Sequence, residues 1–459
     1  MTTETTETTG TAGTSDRYLR RALRDVADGL KVGRLPARVV SDPTLHTIEM
    51  ERIFGRAWVF LAHESELAKS GDFVVRYIGA DSVIVCRDAS GRIQALSNSC
   101  RHRGALVCRA ETGNTAHFQC PYHGWVYSNT GDLVGVPAMS EAYPGGFDKT
   151  QWGLRHIPHV DSYAGFIFGS VDPKAPSLTD YLGDTTFYLD LIAKKTAGGL
   201  EVIGAPHRWT MSANWKTAAD NFVGDSYHTL FAHRSMVELG MAPGDPNFAS
   251  APAEISLQNG HGVGVLGFPP TLADFPEYEG YPDEVVDQMA ASYPSLAHKD
   301  MMRRSAFIHG TVFPNLSFIN VTIAPDHMSP PTPFITFRLW QPLSHDRMEV
   351  LSWFLVERDA PEWLREASQA SYVNNFGPAG VFEQDDAEAW KAITESVQGP
   401  FAGEGLLNYE MGMDLTPLND WPGPGEALPS GYAEQNQRRF WGRWLDYMSQ
   451  PAQFRGGAR

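Results

Sequence analysis

The spacing of apolar residues changes along the chain, and each change predicts a different kind of structure. Residues 1–16 are mainly Thr, Glu, Gly and Ser with almost nothing apolar, which predicts a disordered arm. In 17-RYLRRALRDVADGL-30 the apolar residues recur every three or four positions, as in an amphipathic helix. A second helix is predicted after the Ser-Asp-Pro tripeptide at 41–43, which supplies an N-cap and a first-turn proline.

From Val59 to about Asp172 the pattern becomes a series of short runs rich in β-branched and aromatic residues. Turn signals such as Ser90-Gly91 and Thr130-Gly131 separate these runs. The pattern therefore predicts an all-β module of about a hundred residues. Its strands are predicted at 73-FVVRYIG, 82-SVIVCRD, 92-RIQALSN, 116-AHFQCP, 125-WVYSN, 132-DLVGVP and 165-GFIFGSVD.

After Pro173 the chain mixes helical and strand patterns. Strands are predicted near 200-LEVIGAP and 208-RWTMSAN and as a hairpin of 334-FITFRLWQPL with 347-RMEVLSWFLVE. Helices are predicted from Trp215 to about Phe231, at 361-PEWLREASQASYVNNF and at 434-EQNQRRFWGRWLDYMSQ. Gly- and Pro-rich stretches at 240–252, 398–405 and 421–431 predict surface loops.

Composition narrows the class of protein. A chain of 459 residues exceeds the usual size of one hydrophobic core, which predicts two or three domains. Its formal net charge of -17, without a basic run, argues against nucleic acid and anionic membranes as partners. We expect a cytoplasmic protein, because no run of 18 apolar residues and no signal-peptide pattern occurs. In that compartment four cysteines predict thiols or metal ligands rather than disulfides.

Two Cys/His pairs carry the first chemical signal. Cys100-x-His102 and Cys120-x2-His123 are separated by 17 residues. Chance or a structural Cys2His2 zinc site could also explain them, but zinc fingers group their cysteines together and their histidines together. Alternation of the two ligand types instead suits a Rieske [2Fe-2S] cluster, in which thiolates bind one iron and imidazoles the other. Cys86 and Cys108 are expected to be small buried apolar residues.

A second constellation lies in 214-NWKTAADNFVGDSYHTLFAHRS-235. His228 and His233 stand five residues apart, so a regular helix would point them about 140° apart. We therefore predict a break or a helix end between them if both bind one ion. Two imidazoles and one carboxylate form the facial triad of non-haem Fe(II) oxygenases. Asp225 is the local candidate, and 376-FGPAGVFEQDDAEAW-390 offers further acids that otherwise suit the first turn of a helix.

Together the motifs CRHRG, CPYHGW, D-x-Y-H-x4-H and E-x-D-D resemble those of a known family, the large subunits of Rieske non-haem iron aromatic-ring-hydroxylating dioxygenases. The resemblance runs from roughly residue 40 to the C-terminal helix. It implies that Cys100 and Cys120 bind one cluster iron and His102 and His123 the other. It also implies that a mononuclear Fe(II) is held by His228, His233 and Asp386.

The same resemblance gives Asp225 another role and implies partners. The matching Asp of the family joins an iron-ligand His to a cluster-ligand His across a subunit boundary, which here means His228 and His123 of a neighbouring chain. A homotrimer follows, with a small β subunit in an α3β3 assembly. The resemblance also implies that electrons come from NADH through a separate reductase and ferredoxin. The sequence has no dinucleotide-binding motif, so external donors are required.

The implied fold class is α+β. An all-β Rieske [2Fe-2S] domain over 59–172 is followed by a catalytic mononuclear iron domain over 173–459, with an antiparallel sheet surrounded by helices in a helix-grip-like arrangement. The helices of 17–58 are expected to pack on the catalytic domain, after the disordered arm of 1–16.

The resemblance further implies a substrate pocket and a cis-dihydrodiol product. The pocket residues by position are Asn221, Phe222, Thr229, His309, Phe376 and Phe382. This mainly apolar set favours a neutral polycyclic hydrocarbon such as naphthalene, phenanthrene or pyrene. A phthalate-type dioxygenase would need a cation for the carboxylates, for which Arg303 and Arg304 are candidates. The motifs are also compatible with a Rieske monooxygenase or demethylase, and the first motif by itself with a non-catalytic Rieske electron carrier.

Overall fold

The computed structural model of the protein describes residues 9–239, 252–267 and 277–451. Its packing divides the chain into two compact units. The first unit comprises 54–181 with 199–202, and the second comprises the N-terminal residues to 53, 182–198 and the chain from 203 onward. Among the helices described, none has the length and apolar character needed to cross a bilayer.

The N-terminal helix is longer than predicted. It spans Thr9–Leu30, so residues 9–16 belong to a helix rather than to the predicted arm, and residues 1–8 lie outside the described residues. Asp16 pairs with Arg20 one turn later, which supports the extra turns. The second helix, Pro43–Arg52, begins as predicted, with the Asp42 carboxylate accepting a hydrogen bond from Leu45 N at 2.9 Å.

The first unit is built from short antiparallel strands in three small sheets. Their bounds are Val59–His63, Asp72–Ile78, Asp81–Arg87, Ile93–Ser97, Thr112–Asn114, His117–Gln119, Val126–Ser128, Leu133–Gly135, His159–Tyr163 and Phe166–Ser170. Leu200–Val202 also belongs to this unit but not to these three sheets. Short helical turns lie at Glu64–Leu67, Met139–Ala142, Lys149–Gln151 and Leu178–Leu182. The strands predicted from the alternating runs are all present.

All four cysteines lie in the apolar core of this unit and are free. Cys86 is fully buried and its thiol donates to the Asn129 carbonyl at 3.3 Å. Burial raises the pKa of Cys86 to about 12 and also raises the pKa of Cys108. Both thiols are therefore protonated and unreactive, as the sequence predicted.

The second unit has a large antiparallel sheet. Its neighbouring strands, in spatial order, are His207–Met211, Arg347–Glu357, Thr332–Ser344, Leu316–Ile323, Ser305–Val312, Gly262–Gly267, Ala253–Ser256 and Glu426–Leu428. The other helices are Thr185–Ala193, Trp215–Phe222, Thr229–Ala232, Arg234–Glu238, Asp283–Ser292, Leu296–Arg303, Glu362–Phe376, Val381–Ser396 and Gln435–Ser449. The unit also has helical turns at Ala37–Val40, Gln258–Gly260, Glu277–Gly280 and Ala402–Glu404. A two-stranded sheet pairs Arg34–Pro36 with Leu406–Asn408. The α+β class is confirmed.

Most of the elements predicted for this unit are present. The hairpin and the helices Glu362–Phe376 and Gln435–Ser449 match the sequence patterns. The predicted loop at 421–431 contains the short strand Glu426–Leu428. Of the loop predicted at 240–252, residues 240–251 lie outside the described residues.

The helix predicted from Trp215 to about Phe231 is wrong in its extent, because it ends at Phe222. His309 Nδ1 donates to the Phe222 carbonyl at 3.1 Å, and Asn436 Nδ2 donates to the Val223 carbonyl at 2.9 Å. These two carbonyls would otherwise accept the next two helical hydrogen bonds, from Ser226 N and Tyr227 N. Turns and irregular chain follow at 223–228 before the short helix Thr229–Ala232. This break separates the two histidines of the motif from the regular helix.

Three helices meet at the buried carboxylate of Glu49. It pairs with Lys216 Nζ at 2.7 Å and accepts hydrogen bonds from the indoles of Trp215 at 3.1 Å and Trp444 at 2.8 Å. Satisfying a buried charge in this way fixes the start of the helix Trp215–Phe222 against the C-terminal helix Gln435–Ser449. Trp441 of that helix also donates to Asp220 at 2.8 Å.

Candidate active site

The first unit carries two short loops of the same construction. In one, Cys100 N donates to Ala105 O at 2.9 Å and Gly104 N donates to Cys100 O at 2.8 Å. The other repeats the pattern around Cys120, with hydrogen bonds of 2.8 and 3.0 Å. Gly104 and Gly124 have φ angles of +73° and +70°, a region that favours glycine. The two glycines of the motif are therefore required by the turns.

The imidazole rings of these loops face one another. The rings of His102 and His123 lie 4.5 Å apart between centroids, and Trp125 stacks on His102 at 4.9 Å. Nδ1 of His102 is buried and has no hydrogen-bond partner, an arrangement that suits a metal ligand. Burial and the neighbouring His123 lower the pKa of His102, which favours the neutral imidazole that binds iron. These residues fit the predicted cluster.

Tyr127 supports the cysteine loop, and the sequence reasoning did not identify it. Its hydroxyl accepts from Arg101 N at 3.1 Å and lies 3.2 Å from Cys100 Sγ. A hydroxyl that donates to a cluster thiolate raises the reduction potential of the cluster. The sequence could have suggested Tyr127, because this residue lies two positions after Trp125 in the predicted strand 125-WVYSN, next to the second Cys/His pair.

In the second unit, His228, His233 and Asp386 form one compact group, with possible ligand atoms all within 4.8 Å of one another. Nε2 of each histidine lies 3.4 Å from Asp386 Oδ1. His228 and His233 flank the short helix Thr229–Ala232 at its two ends, so the predicted break does bring them together. Asp386 projects from the helix Val381–Ser396. We call these three residues the His-His-Asp triad.

Further polar groups hold the two imidazoles. His228 Nδ1 donates to the Asp225 backbone carbonyl at 2.5 Å and lies 3.5 Å from its carboxylate. Asn221 Nδ2 donates to that carboxylate at 3.1 Å. His233 Nδ1 lies 3.3 Å from Asp385 Oδ2. Both histidines thus present Nε2 to the centre of the triad, as metal-binding histidines with carboxylate or carbonyl partners do.

The electrostatics of the triad favour a cation. Burial alone would raise the pKa of Asp386, but hydrogen bonds from His228 and His233 outweigh it and hold the pKa well below its ordinary value. The pKa of Asp225 is also lowered, because His228 and Asn221 outweigh the effect of burial. The site therefore contains two carboxylates beside two imidazoles.

A cavity opens directly beside the triad. The described side chains around it are Asn221, Phe222, Asp225, Ser226, His228, Thr229, His233, Leu266, Ala306, Phe307, His309, Ile319, Val321, Thr322, Ile323, Phe376, Phe382 and Asp386. All six residues predicted for the pocket are among them. The rings of Phe376 and Phe382 stack 5.4 Å apart, with an 11° angle between planes. The wall is mainly apolar and aromatic away from the triad.

Two family comparisons agree with this geometry. The Rieske [2Fe-2S] domain family matches residues 57–163, and the family of ring hydroxylating alpha subunits (catalytic domain) matches residues 179–450. The chain belongs to the ring-hydroxylating oxygenase alpha subunits. Its cofactors are accordingly a Rieske [2Fe-2S] cluster and a mononuclear iron. A structural zinc protein and an electron carrier without a catalytic domain are both set aside.

Individual relatives of this oxygenase alpha subunit differ in their reactions. N,N-dimethyl phenylurea N-demethylase subunit alpha of Sphingobium sp. (strain YBL2) is 40% identical over 92% of each chain. Biphenyl 2,3-dioxygenase subunit alpha of Rhodococcus jostii (strain RHA1) is 35% identical over 92% of this chain and 90% of the relative. The structure of naphthalene 1,2-dioxygenase from Rhodococcus sp. bound to indole aligns with a TM-score of 0.90 and 53% identity, covering 95% and 98% of the two chains.

The two arginines considered for a carboxylated substrate lie outside the cavity of the oxygenase subunit. Arg303 pairs with Glu277 and Asp300, and Arg304 pairs with Asp300. Their side chains are 42% and 54% exposed, and neither lines the cavity. Among the described lining residues there is no Lys or Arg. The cavity thus offers no permanent cation to a phthalate carboxylate.

Several lining residues of the oxygenase subunit were not identified from the sequence. Ile319, Val321 and Ile323 alternate along the strand Leu316–Ile323, and Phe307 alternates with His309 on its neighbour. The alternation is present in 316-LSFINVTI-323, but both faces of this strand are largely buried. A polar residue between two apolar ones therefore does not indicate a solvent-facing position in this strand. For this reason the alternation did not reveal which side chains line the cavity.

Proposed function

We propose that this alpha subunit adds both atoms of O2 to one ring of a neutral polycyclic aromatic hydrocarbon and releases a cis-dihydrodiol. Naphthalene, phenanthrene and pyrene represent the class. The balanced reaction takes arene, O2, NADH and H+ to cis-dihydrodiol and NAD+. The observation that carries the proposal is the apolar cavity beside the His-His-Asp triad, in which the described wall offers two stacked phenyl rings and no Lys or Arg.

We assign the cluster to Cys100, His102, Cys120 and His123 and the mononuclear iron to the His-His-Asp triad. The buried, unpartnered Nδ1 of His102 and the convergence of the three triad ligands support these assignments. When bound, the two centres supply single electrons and a site for O2 activation.

Other side chains of this subunit orient the iron ligands, hold the aromatic ring and exclude water. Asn221 and Asp225 keep Nε2 of His228 directed at the triad centre, and Asp385 does the same for His233. Phe376 and Phe382 present flat faces against which an aromatic ring stacks. The apolar wall excludes water from the reacting ring.

We further propose that electrons enter through the carboxylate of Asp225. In this proposal Asp225 joins His228 to His123 of a neighbouring chain, so the working unit is a homotrimer. The partial exposure of the Asp225 side chain, 32%, supports this role, since a carboxylate that bridges two chains must reach the surface of its own.

We propose three kinds of protein partner and a cytoplasmic location. They are a small β subunit in an α3β3 assembly, a ferredoxin and an NADH-dependent reductase. The names of the relatives, which are alpha subunits, support a multi-subunit enzyme. Four free cysteines suit the reducing conditions of the cytoplasm.

A demethylase is the second candidate, because the N,N-dimethyl phenylurea N-demethylase subunit is 40% identical. The two reactions differ in oxygen incorporation. With purified donors and 18O2, we expect both labelled atoms in the diol formed from two-, three- or four-ring hydrocarbons. Phthalate and an N,N-dimethyl phenylurea are run in parallel. If phthalate or the phenylurea is the sole compound transformed, the hydrocarbon assignment is wrong.

A further inference from the structure

A buried acid lies behind the cavity wall and has no part in the mechanism above. Glu254, on the strand Ala253–Ser256, is 0% exposed. Its Oε1 accepts from the Ser226 hydroxyl at 2.8 Å, and its Oε2 accepts from Asn436 Nδ2 at 3.2 Å. Among the described residues, no Lys, Arg or His forms an ion pair with it. A carboxyl group buried without a cation is expected to keep its proton.

The fold makes room for this carboxyl group at a specific position. A side chain at Gly224 would place its Cβ 2.7 Å from Glu254 Oε2 and 2.7 Å from Asn436 Nδ2. The glycine in NFVGDS is therefore required by close approach of the acid. Asn436 is held in one orientation, because its Oδ1 accepts from Ser256 at 2.8 Å while its Nδ2 also donates to Val223 O.

Ser226 connects the acid to the cavity. Its side chain lines the cavity, and its Oγ lies 3.5 Å from His309 Nε2, which also faces the cavity. His309 Nδ1 donates to the Phe222 carbonyl at 3.1 Å, so Nε2 is the acceptor nitrogen of the ring. Burial lowers the pKa of His309 to about 4, which keeps the ring neutral.

The 2.8 Å contact between Ser226 Oγ and Glu254 can run in either direction, because a hydroxyl group both donates and accepts. When the Ser226 hydrogen turns to Nε2 of His309, which can only accept, Ser226 Oγ accepts a hydrogen bond from the acid form of Glu254. Burial raises the pKa of Glu254 well above its ordinary value, with a further rise from Asp225, although a hydrogen bond donated by Ser226 acts in the opposite direction. The net direction agrees with the acid form.

We propose that Glu254 stores a proton and that Ser226 passes it into the cavity during ring hydroxylation. This inference rests on the proposed function, in which reduction of O2 consumes protons inside a cavity whose apolar wall excludes water from the reacting ring. In the transfer, the Ser226 O–H bond breaks and its proton goes to a basic oxygen formed from O2. The Glu254 O–H bond breaks as its proton moves to Ser226 Oγ. Water entering after product release returns one proton to Glu254.

The proton store is tested by infrared difference spectroscopy of the holoenzyme in H2O and D2O at neutral pH. We expect the wild type minus Glu254→Gln difference to contain the carbonyl stretch of a buried, protonated carboxylic acid, because other protonated acids such as Glu279 contribute equally to both proteins and cancel. Ser226→Ala shifts this band, because one hydrogen-bond partner is removed. A difference without this band would overturn the proposal whatever the substrate is.

Proton delivery is tested by kinetics on naphthalene. Both variants should form diol about ten- to a hundredfold more slowly, with a larger solvent isotope effect than the wild type. The double variant should be no slower than the slower single variant, because both residues lie on one path. Ser368→Ala is the matched control, since it removes a buried hydroxyl that binds the Pro333 carbonyl and touches neither the cavity nor Asn436.

The outcomes separate the two proposals. Wild-type rates and isotope effects in Ser226→Ala, which keeps both Glu254 and His309, would overturn proton delivery even if Glu254→Gln failed to fold. A wild type that transforms no aromatic hydrocarbon refutes the proposed function, whereas the infrared band then still decides whether Glu254 holds a proton.

Discussion

At the residue scale, Asp225 is held as an anion by its neighbours. The carboxylate accepts hydrogen bonds from Asn221 Nδ2 at 3.1 Å and from His228 N at 3.2 Å. An asparagine has the same size but no charge, and its amide nitrogen cannot accept either of these bonds. The charge of Asp225, rather than its volume, is therefore the property to test.

We predict that Asp225→Asn keeps both metal centres and loses at least about a hundredfold in turnover, since the path to the iron depends on a charged, oriented bridge. Iron content and electron paramagnetic resonance report the centres, and steady-state diol formation reports turnover. Asp300→Asn, an exposed acid paired with Arg303, serves as the control. Turnover at the wild-type rate in Asp225→Asn would contradict the proposed bridge.

Single residues also show where sequence reasoning succeeds and where it stops. The spacing of Cys100, His102, Cys120 and His123 predicted two loops that the fold brings together, because each pair is local in the chain. Glu254 carried no such signal. Its partners Ser226 and Asn436 are 28 and 182 residues away, so nothing in its own stretch indicates that it is buried beside the cavity.

At the scale of elements, one glycine of the strand Gly262–Gly267 is required by the neighbouring strand. A Cβ on Gly264 would lie 2.1 Å from Nε2 of His309, whereas a Cβ on Gly267 would meet nothing nearer than Arg304 O at 3.8 Å. Neither glycine has a positive φ. The two positions therefore differ in available space and not in backbone conformation.

We predict that Gly264→Ala destabilises the fold by about 1 to 3 kcal/mol and slows diol formation, because the added methyl group displaces His309 from the cavity wall. Gly267→Ala should have little effect on either. Thermal melting and substrate turnover measured on the two variants make the comparison. Equal losses in both would show that His309 does not depend on the space above Gly264.

The helical turn Glu277–Gly280 contains a second buried acid. Glu279 is fully buried, with φ of +56°, and its Oε1 has no hydrogen-bond partner. Burial raises its pKa to about 8, with a further rise from Glu357, although Lys195 and Asn320 act in the opposite direction. The folded state therefore keeps this proton between about pH 4.5 and pH 8, where an unfolded chain releases it.

Because the folded state holds a proton that the unfolded chain releases, Glu279 should lower the free energy of unfolding as the pH rises from about 4.5 to about 8. The expected loss is up to about 1.4 kcal/mol per pH unit. Glutamine does not ionise. The Tm of Glu279→Gln minus that of the wild type should accordingly be more positive at pH 8 than at pH 6. Glu277→Gln, which changes an exposed acid of the same turn, should leave this difference unchanged. A Tm difference that is the same at both pH values for Glu279→Gln would refute the assignment.

Several elements with one solvent-facing side were predicted well. The helix Glu362–Phe376 and the strand Asp72–Ile78 follow their sequence periodicities. The strand Ser305–Val312 was not predicted, since it is buried along nearly its whole length and shows no alternation. The site helix was predicted nine residues too long, because two distant residues, His309 and Asn436, bind the carbonyls of Phe222 and Val223 that would have continued it.

At the scale of the whole molecule, the proposed trimer makes a prediction about mixed assemblies. A Cys100→Ser chain lacks the cluster but keeps Asp225 and the triad, and an Asp225→Asn chain keeps the cluster. If electrons cross between chains, trimers that contain both should regain a substantial fraction of wild-type turnover, although each parent is nearly inactive.

Co-expression of the two variants with separate affinity tags, followed by sequential purification, isolates the mixed trimers for the assay. Mixing the purified parents without subunit exchange is the control. Mixed trimers that are as inactive as their parents would place electron transfer within a single chain.

The C-terminal helix Gln435–Ser449 contains no residue of the triad, yet several of its side chains secure the segment that carries the two histidines. Asn436 binds the Val223 carbonyl just after the site helix, Trp441 binds Asp220, and Trp444 reaches Glu49. Ribosomes deliver this helix long after the segment that it secures. The nascent chain must therefore wait for that helix before its oxygen-handling centre can take final shape, and a stop codon that removes this helix would be as damaging as one in the middle of the message.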